Sequence, residues 1–211
     1  MFGVTVCSSS PAVAARCAHA RAGVGAVASQ NVTDPSLGPR ALDLLSLGAD
    51  AEQAVAILRS SAPHMEFRQV LAVDGRGGSA VHSGANTLGV WAAVRGRDVA
   101  CGGNLLADAR VPDAMAEAFA ASAGPLGGRL LRAMRAALEA GGEAGPVHSA
   151  GLKLVRDVPW PVADLRVDWT EDCPITALEA LWALYEPQLE DYVRRARDPA
   201  AAPRYGVPGD P

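Results

Sequence analysis

The chain has 211 residues, of which 49% are hydrophobic and 20% charged, with a net charge of −4. That is enough apolar material for one sizeable core, or for a domain of ~150 residues with an appendage, and too little charge for long disorder. Its basic residues are scattered, and the densest group (Arg194, Arg195 and Arg197) sits beside Glu190, Asp191 and Asp198, so a phosphate-tracking stripe is missing and nucleic acid is excluded as a partner.

In chain order, Gly3 to Ser8 reads as a strand, with Val4 and Val6 alternating with Thr5 and Cys7 before a Ser-Ser-Pro turn. Residues 12–19 fit either a strand or a short helix, and residues 23–30 alternate as a half-buried strand does. "NVTDPSLGP" is a break, after which Asp34 as N-cap and Pro35 at the first helical position start a helix that stops at Gly48. Asp50 caps a second helix carrying Ala51, Ala54, Val55 and Leu58. The period then changes: 67–73 and 79–84 read as a hairpin through Asp74-Gly75 and Gly77-Gly78, and 89–95 and 98–102 as another. Helices follow at 111–122 and 125–140, then strands at 147–156 and 163–168. A last helix over 174–196 carries Leu178, Leu181, Leu184, Leu189 and Val193, with Pro187 as a kink, and a Pro-rich tail ends the chain.

Helices thus come in pairs between groups of antiparallel strands. The expected class is α+β, with two packed antiparallel sheets between helix pairs. Strict βαβ alternation, G-x-G-x-x-G and Walker loops are absent, so no nucleotide cofactor is expected. The four cysteines (7, 17, 101, 173) lack C-x-x-C spacing and the four histidines (19, 64, 82, 148) lack H-x-x-x-H, so neither a metal nor any other cofactor is expected. No run of ~18 apolar residues and no signal-peptide pattern occurs, so the membrane is excluded and a reduced, cytoplasmic protein is expected.

"RAGVGAVASQNVTDPSLGPRALDLL", "FRQVLAVDGRG", "AVHSG", "GGNLLA", "MAEAFAASAGPLGGRLL", "HSAGLKLV" and "DLRVDW" occur in this order. Together they resemble the bacterial family catalogued as domain of unknown function 1028. The resemblance implies an N-terminal-nucleophile-hydrolase-like fold, a four-layer αββα sandwich. It implies a main domain over 1–170 and a helical extension over 171–211, the latter similar to a segment thought to bind peptidoglycan. Members of that family start about a dozen residues earlier, with a strand and a turn. On this resemblance the present chain lacks that first strand, through a late start codon or as a shortened paralogue. N-terminal-nucleophile enzymes use the free α-amine as base for the first residue's hydroxyl or thiol. A start of Met1-Phe2 offers no such group.

The candidate site residues each carry a structural reading beside the functional one. Ser8 and Cys7 either line a pocket at the strand end, one of them as nucleophile, or cap a turn and pack in the core. Gln30 and Asn31 carry amides suited to holding a carboxylate or amide substrate, or to satisfying a loop backbone. Arg68 and Gln69 lie in an apolar strand, so Arg68 grips a substrate carboxylate or pairs with an internal acid such as Asp164 or Asp168. His82 is a general base or a hydrogen-bonded core histidine. In "CGGN", the two glycines let backbone N–H groups approach a ligand and Asn104 adds a side-chain donor, as an oxyanion hole at Gly103 and Asn104 requires; a hairpin exit is the alternative. "DLRVD" places Asp164, Arg166 and Asp168 on one face, either an exposed sheet face or an internal charge network, with Arg166 as the substrate-binding candidate.

The expected function is hydrolysis of a small amide- or ureido-type C–N bond, with the nucleophile supplied by residues preceding the chain or by Ser8 or Cys7. The alternative is a non-catalytic member of the same fold that binds a small ligand or a cell-wall fragment. A small-molecule substrate and a homodimer are the expected partners, since the edge left by a missing strand invites pairing.

Overall fold

The computed structural model describes residues 1–207; the last four residues of the Pro-rich tail lie outside the described residues. Strand β1 (Phe2–Ser8) is followed by a short helix α1 (Val13–Cys17), strands β2 (Ala18–Arg21) and β3 (Gly25–Asn31), and helices α2 (Leu37–Ser46) and α3 (Ala51–Ser61). Two hairpins follow, β4 (Arg68–Asp74) with β5 (Ser79–Ser83) and β6 (Ala92–Gly96) with β7 (Val99–Gly103). Then come α4 (Val111–Ala121), α5 (Leu126–Glu139), β8 (Ser149–Val155), β9 (Ala163–Val167), α6 (Pro174–Tyr185) and α7 (Leu189–Arg197).

All strand pairing is antiparallel, so the α+β expectation holds, but the strands form three sheets rather than two: β1-β8-β9, β2-β3-β4-β5, and the β6-β7 hairpin alone. The hairpin is joined to its neighbours by side chains and by one backbone bond between turns, from Asp98 N to the Gly77 carbonyl at 2.9 Å, not by a ladder. Ser79 Oγ donates to the Gly96 carbonyl at 2.7 Å, and the buried Gln69 amide reaches the carbonyls of Ala92 and Gly103 at 3.4 and 3.3 Å. A sequence pattern sees the hairpin but not this mode of attachment.

The four-stranded sheet buries one face under α2 and α3, where Val27, Val70, Ala72 and Ala80 meet Leu37, Leu42 and Leu58. Its other face meets β1 and α1 through Val4, Val6, Ala14 and Ala26. On the far side of the three-stranded sheet, Leu152, Leu154 and Ala163 pack against Leu131, Leu178 and Trp182 of α5 and α6. Alternation along β8 assigns the faces: Leu152 and Leu154 enter that outer cluster, while Lys153 points the other way and donates to the Ala18 carbonyl at 3.3 Å. Each such buried leucine contributes about 1.5–3 kcal/mol.

Two helix ends show how local chemistry sets boundaries. Asp50 and Gln53 form a reciprocal capping box at the start of α3. Asp34, expected to cap α2, instead accepts from the backbone and hydroxyl of Ser36 at 2.9 and 2.7 Å, which delays the helix to Leu37. This Asx turn competes with the cap because both use the same carboxylate oxygen. At the other end of the chain, Pro187 splits the expected long helix with a 3-10 turn over Glu186–Gln188. The extension is not peripheral in its packing: Ile175, Leu178, Trp182, Leu189 and Val193 are all buried. No helix among the described residues is long and apolar enough to cross a membrane.

Candidate functional site

The C-terminal ends of β1, β3 and β7 converge on one cavity of about 230 Å3. Each end is brought there by ladder register. β1 is held against β8 from Phe2↔Val155 to Ser8↔Ser149, and the buried Ser149 hydroxyl fixes the following loop by donating to the Ser10 carbonyl at 2.6 Å. The Val13 amide in turn donates to Ser149 Oγ at 3.2 Å and the Ala12 amide to the Asp168 carbonyl at 2.9 Å. β7 ends its pairing at Ala92↔Gly103, leaving Asn104 just beyond the ladder.

Of the sequence candidates, Cys7, Ser8, Gln30, Asn31, Gly103 and Asn104 all line this cavity. They differ in how free they are. The Asn104 side-chain amide makes no hydrogen bond among the described residues, so it is uncommitted in a residue that lines the cavity. Gln30 donates to Gln69 Oε1 at 2.7 Å and to the Gly102 carbonyl at 3.2 Å, which leaves its own carbonyl oxygen open. Asn31 is spent on structure: its amide donates to the Phe67 carbonyl and its oxygen accepts from Leu88 N at 3.1 Å. Ser8 Oγ accepts from Ser10 N at 3.0 Å and keeps its proton free to donate. Cys7 is a poor nucleophile, because burial, with Glu143 and Cys173 adding to it, pushes its thiol up to about 12.

Gly102 and Gly103 serve close approach rather than positive φ. A Cβ on Gly102 would lie 2.9 Å from Leu71 Cδ2, and one on Gly103 would lie 2.6 Å from Leu106 Cδ2. Asn31 (φ 76°) and Leu105 (φ 54°) both line the cavity in the left-handed region, and Ala12 (φ 52°) adjoins it. Such residues cost of order 1–3 kcal/mol each and cluster at functional sites.

The other four candidates, Arg68, Gln69, His82 and Arg166, are not among the residues that line this cavity. Arg68 donates to the Val32 carbonyl and pairs with neither Asp164 nor Asp168, and its Nε is buried without a partner. Gln69 is fully buried and acts from behind, holding Gln30 while donating to Ser83 Oγ at 2.9 Å. His82 is bonded through Nε2 to the Met65 carbonyl at 2.8 Å. Arg166 forms a two-pronged pair with Asp164, both contacts at 2.9 Å, and Asp164 also meets Lys153 at 3.3 Å. Asp164, Arg166 and Asp168 are all exposed, so this is a surface ion pair on the outward face of β9, with Leu165 and Val167 on the opposite, apolar face.

The residues that the sequence did not single out are Ser9, Arg16 and Glu143. Glu143 takes hydrogen bonds from both the hydroxyl and the amide of Ser9, the latter at 3.1 Å. Arg16 donates to the Pro11 carbonyl at 2.7 Å. These two are the charged side chains that line the cavity. The one sequence signal for Glu143 is an acid set in a glycine-rich turn, "GGEAG", too common to mark a site. Among the described residues no group of three or more His, Cys, Asp and Glu side chains is placed to hold a metal ion, and the four cysteines are unpaired.

A family model described as a family of unknown function (DUF1028) matches residues 1–178. Among solved structures, the crystal structure of protein SPO2555 from Silicibacter pomeroyi, which carries the same family model, is similar, with 31% identity and a TM-score of 0.82 over 92% of this chain and 87% of that one. No curated protein matches the chain.

Proposed function

We propose for this chain, which belongs to the family of unknown function DUF1028, the hydrolysis of a small amide- or ureido-type C–N bond in the cavity at the ends of β1 and β7. The observation that carries the reading is the uncommitted Asn104 amide beside Gly103, at a backbone position stripped of side chain. A tetrahedral oxyanion there would take a hydrogen bond from the Asn104 Nδ2 donor, and removing one such donor costs about 10²–10³ in kcat. The open Gln30 carbonyl oxygen would accept from the N–H of the scissile amide or ureide. The order of packing supports a four-layer αββα sandwich of the N-terminal-nucleophile-hydrolase type: helices α2 and α3, the four-stranded sheet, the three-stranded sheet, then α5 and α6.

The nucleophile is what the described residues supply least well. Cys7 is held protonated, and Ser8 Oγ makes no hydrogen bond to a base among the described residues, Glu143 being engaged by the neighbouring Ser9. In this proposal a residue opening a strand alongside β1 delivers it, with Ser8 as the in-chain alternative. The second reading, a non-catalytic binder of the same fold, is favoured by that same shortage. A small-molecule substrate, a cytoplasmic setting and a homodimer complete the proposal. Support for the setting is the unpaired cysteines. Support for the dimer is a set of exposed apolar side chains, Val32, Phe67, Leu88, Val90, Trp91 and Leu105, of which Leu88 and Leu105 line the cavity.

The test is a screen of the purified protein against small amides, lactams, ureides and acyl amino acids. The hydrolase reading expects turnover of one class, falling about 10²–10³-fold in Asn104→Ala with the melting temperature unchanged. Saturable binding without turnover would select the binder instead.

A further inference from the structure

The fold sorts the four free cysteines into two kinds. Cys17 and Cys101 are buried, at 2% and 5% exposure, and burial pushes both thiols up. Cys7 and Cys173 are half-buried and share the lining of one cavity of about 270 Å3. Alternation along β1 puts Val4 and Val6 on the inner face of the three-stranded sheet and Cys7 on the outer one, against the cluster that holds Leu178 of α6. Cys173 stands where the irregular segment 168–173 enters α6, just before Pro174. Gly141, Gly142 and Gly145 form part of the wall between them, so no side chain from those positions fills the space. Burial pushes the Cys173 thiol up, but the Thr176 hydroxyl, the backbone N–H groups of Thr176 and Ile175 and the Arg135 guanidinium more than reverse this and hold it below its ordinary 9.0. Arg135 is fixed there by donating to Thr176 Oγ1 at 3.0 Å. Cys7 is the opposite case, pushed up to about 12 by burial, then by Glu143 and by Cys173 itself.

We propose that Cys173 and Cys7, facing one cavity, form a peroxide-reactive dithiol in which Cys173 is oxidised first and Cys7 resolves it. Redox-sensing cysteines combine an accessible, ionisable thiol with a second thiol nearby, and this cavity brings both together. In the first step the Cys173 thiolate attacks hydrogen peroxide. An S–O bond forms, the O–O bond breaks and hydroxide leaves, so the sulfur becomes a sulfenic acid. In the second step the Cys7 sulfur bonds to the Cys173 sulfur, the S–O bond breaks, and the Cys7 proton goes to the departing hydroxyl as water. Two thiols and one peroxide thus give one disulfide and two waters. The disulfide needs the two α-carbons about 4.4–6.8 Å apart, and the segment 168–173, which has no regular structure, is what adjusts to close that distance. Because Cys7 is held protonated, the second step is the slower one and the sulfenic acid lasts long enough to be trapped. The device goes beyond hydrolysis, since it uses neither Asn104 nor a substrate.

The test treats the reduced full chain with stoichiometric hydrogen peroxide, with and without the sulfenic-acid trap dimedone, and maps the peptides by mass spectrometry without reduction. The expected result is a dimedone adduct on Cys173 when the trap is present, and a Cys7–Cys173 cross-linked peptide, reversed by dithiothreitol, when it is absent. Iodoacetamide at neutral pH should alkylate Cys173 about tenfold or more faster than Cys7, Cys17 or Cys101. Cys173→Ser, which keeps a good residue at the helix N-cap, should abolish both products. Cys7→Ala should keep the adduct and lose the cross-link. If Cys7→Ala does not fold, the peptide map of the unaltered chain with and without the trap carries the same information. The proposal is overturned if the trap marks another cysteine before Cys173, if Cys173 is oxidised and never linked to Cys7, or if cross-links form only between chains.

Discussion

At the scale of single residues, two buried side chains make pH-dependent predictions that need no substrate. Asp74 is 4% exposed, and burial alone would push its carboxyl up, but the backbone amides of Ala51, Arg76 and Gly78, at 2.9, 2.8 and 2.9 Å, more than reverse this and hold it below its ordinary 3.8. A depressed carboxylate contributes stability above its unfolded value that is lost as pH falls through the folded one. Asp74→Asn should therefore cost about 1–3 kcal/mol at pH 7, because it loosens both the β4–β5 turn and the start of α3. The gap between mutant and parent, measured by urea unfolding, should shrink steadily below pH 3.8. A gap independent of pH would contradict the account. Cys101 makes the opposite case: burial pushes its thiol from 9.0 up to about 12. A raised pKa gives stability that is complete below the unfolded value and lost on the way up, so stability should decline between pH 9 and about 12. Cys101→Ala should flatten that decline in a series of thermal melts, and an unchanged slope would place the alkaline sensitivity elsewhere.

At the scale of elements, what the sequence revealed and what it hid divide along one line. Period and punctuation located the strands and helices, because Asp50, Gly48 and Pro187 act within a few residues of themselves. The same local signals drew attention to Gly102, Gly103 and Asn104, and the structure places the side chains of Leu71 and Leu106 against the two glycines. What stayed hidden was long-range. Glu143 meets Ser9 across 134 residues of sequence, and no local pattern in "GGEAG" announces that contact. Arg68 looked buried and in need of an acid because its strand is apolar, yet it lies at the first position of β4 and reaches only the Val32 carbonyl. Gln69, one residue on, is the buried one, and its reach to Gln30 and Gly103 depends on how β3 and β7 are stacked. The extension makes a prediction at this scale. Trp182 of α6 is buried beside Gly127 of α5, where any Cβ would lie 2.5 Å from the indole. Trp182→Ala should cost about 3–5 kcal/mol, and Gly127→Ala should also destabilise by forcing the ring aside. If both variants melt with the parent, the extension is an appendage rather than part of the core.

At the scale of the whole molecule, three small antiparallel sheets are assembled so that strand ends, not strand faces, meet at the cavity. That arrangement explains how a polar rim coexists with an apolar interior. The sheet faces are covered by α2, α3, α5 and α6, while the rim keeps Asn104 free and holds Asn31 and Leu105 at positive φ. The exposed apolar side chains Val32, Phe67, Leu88, Val90, Trp91 and Leu105 belong to the same scale. Substituting Trp91 and Val90 with Asp should turn a dimer into a monomer in light scattering after size exclusion, with the fold retained by circular dichroism; a parent that is already monomeric at high concentration would remove the dimer from the proposal. The functional reading depends on the cavity between β1, β3 and β7 being the place where a ligand binds. The most direct measurement is an NMR titration of the labelled protein with a compound selected by the amide and ureide screen. The account predicts shifts at the backbone amides of residues 7–10 and 102–104 and at the side-chain amides of Asn104 and Gln30. Shifts confined to β9, α6 or α7, with residues 102–104 silent, would contradict it.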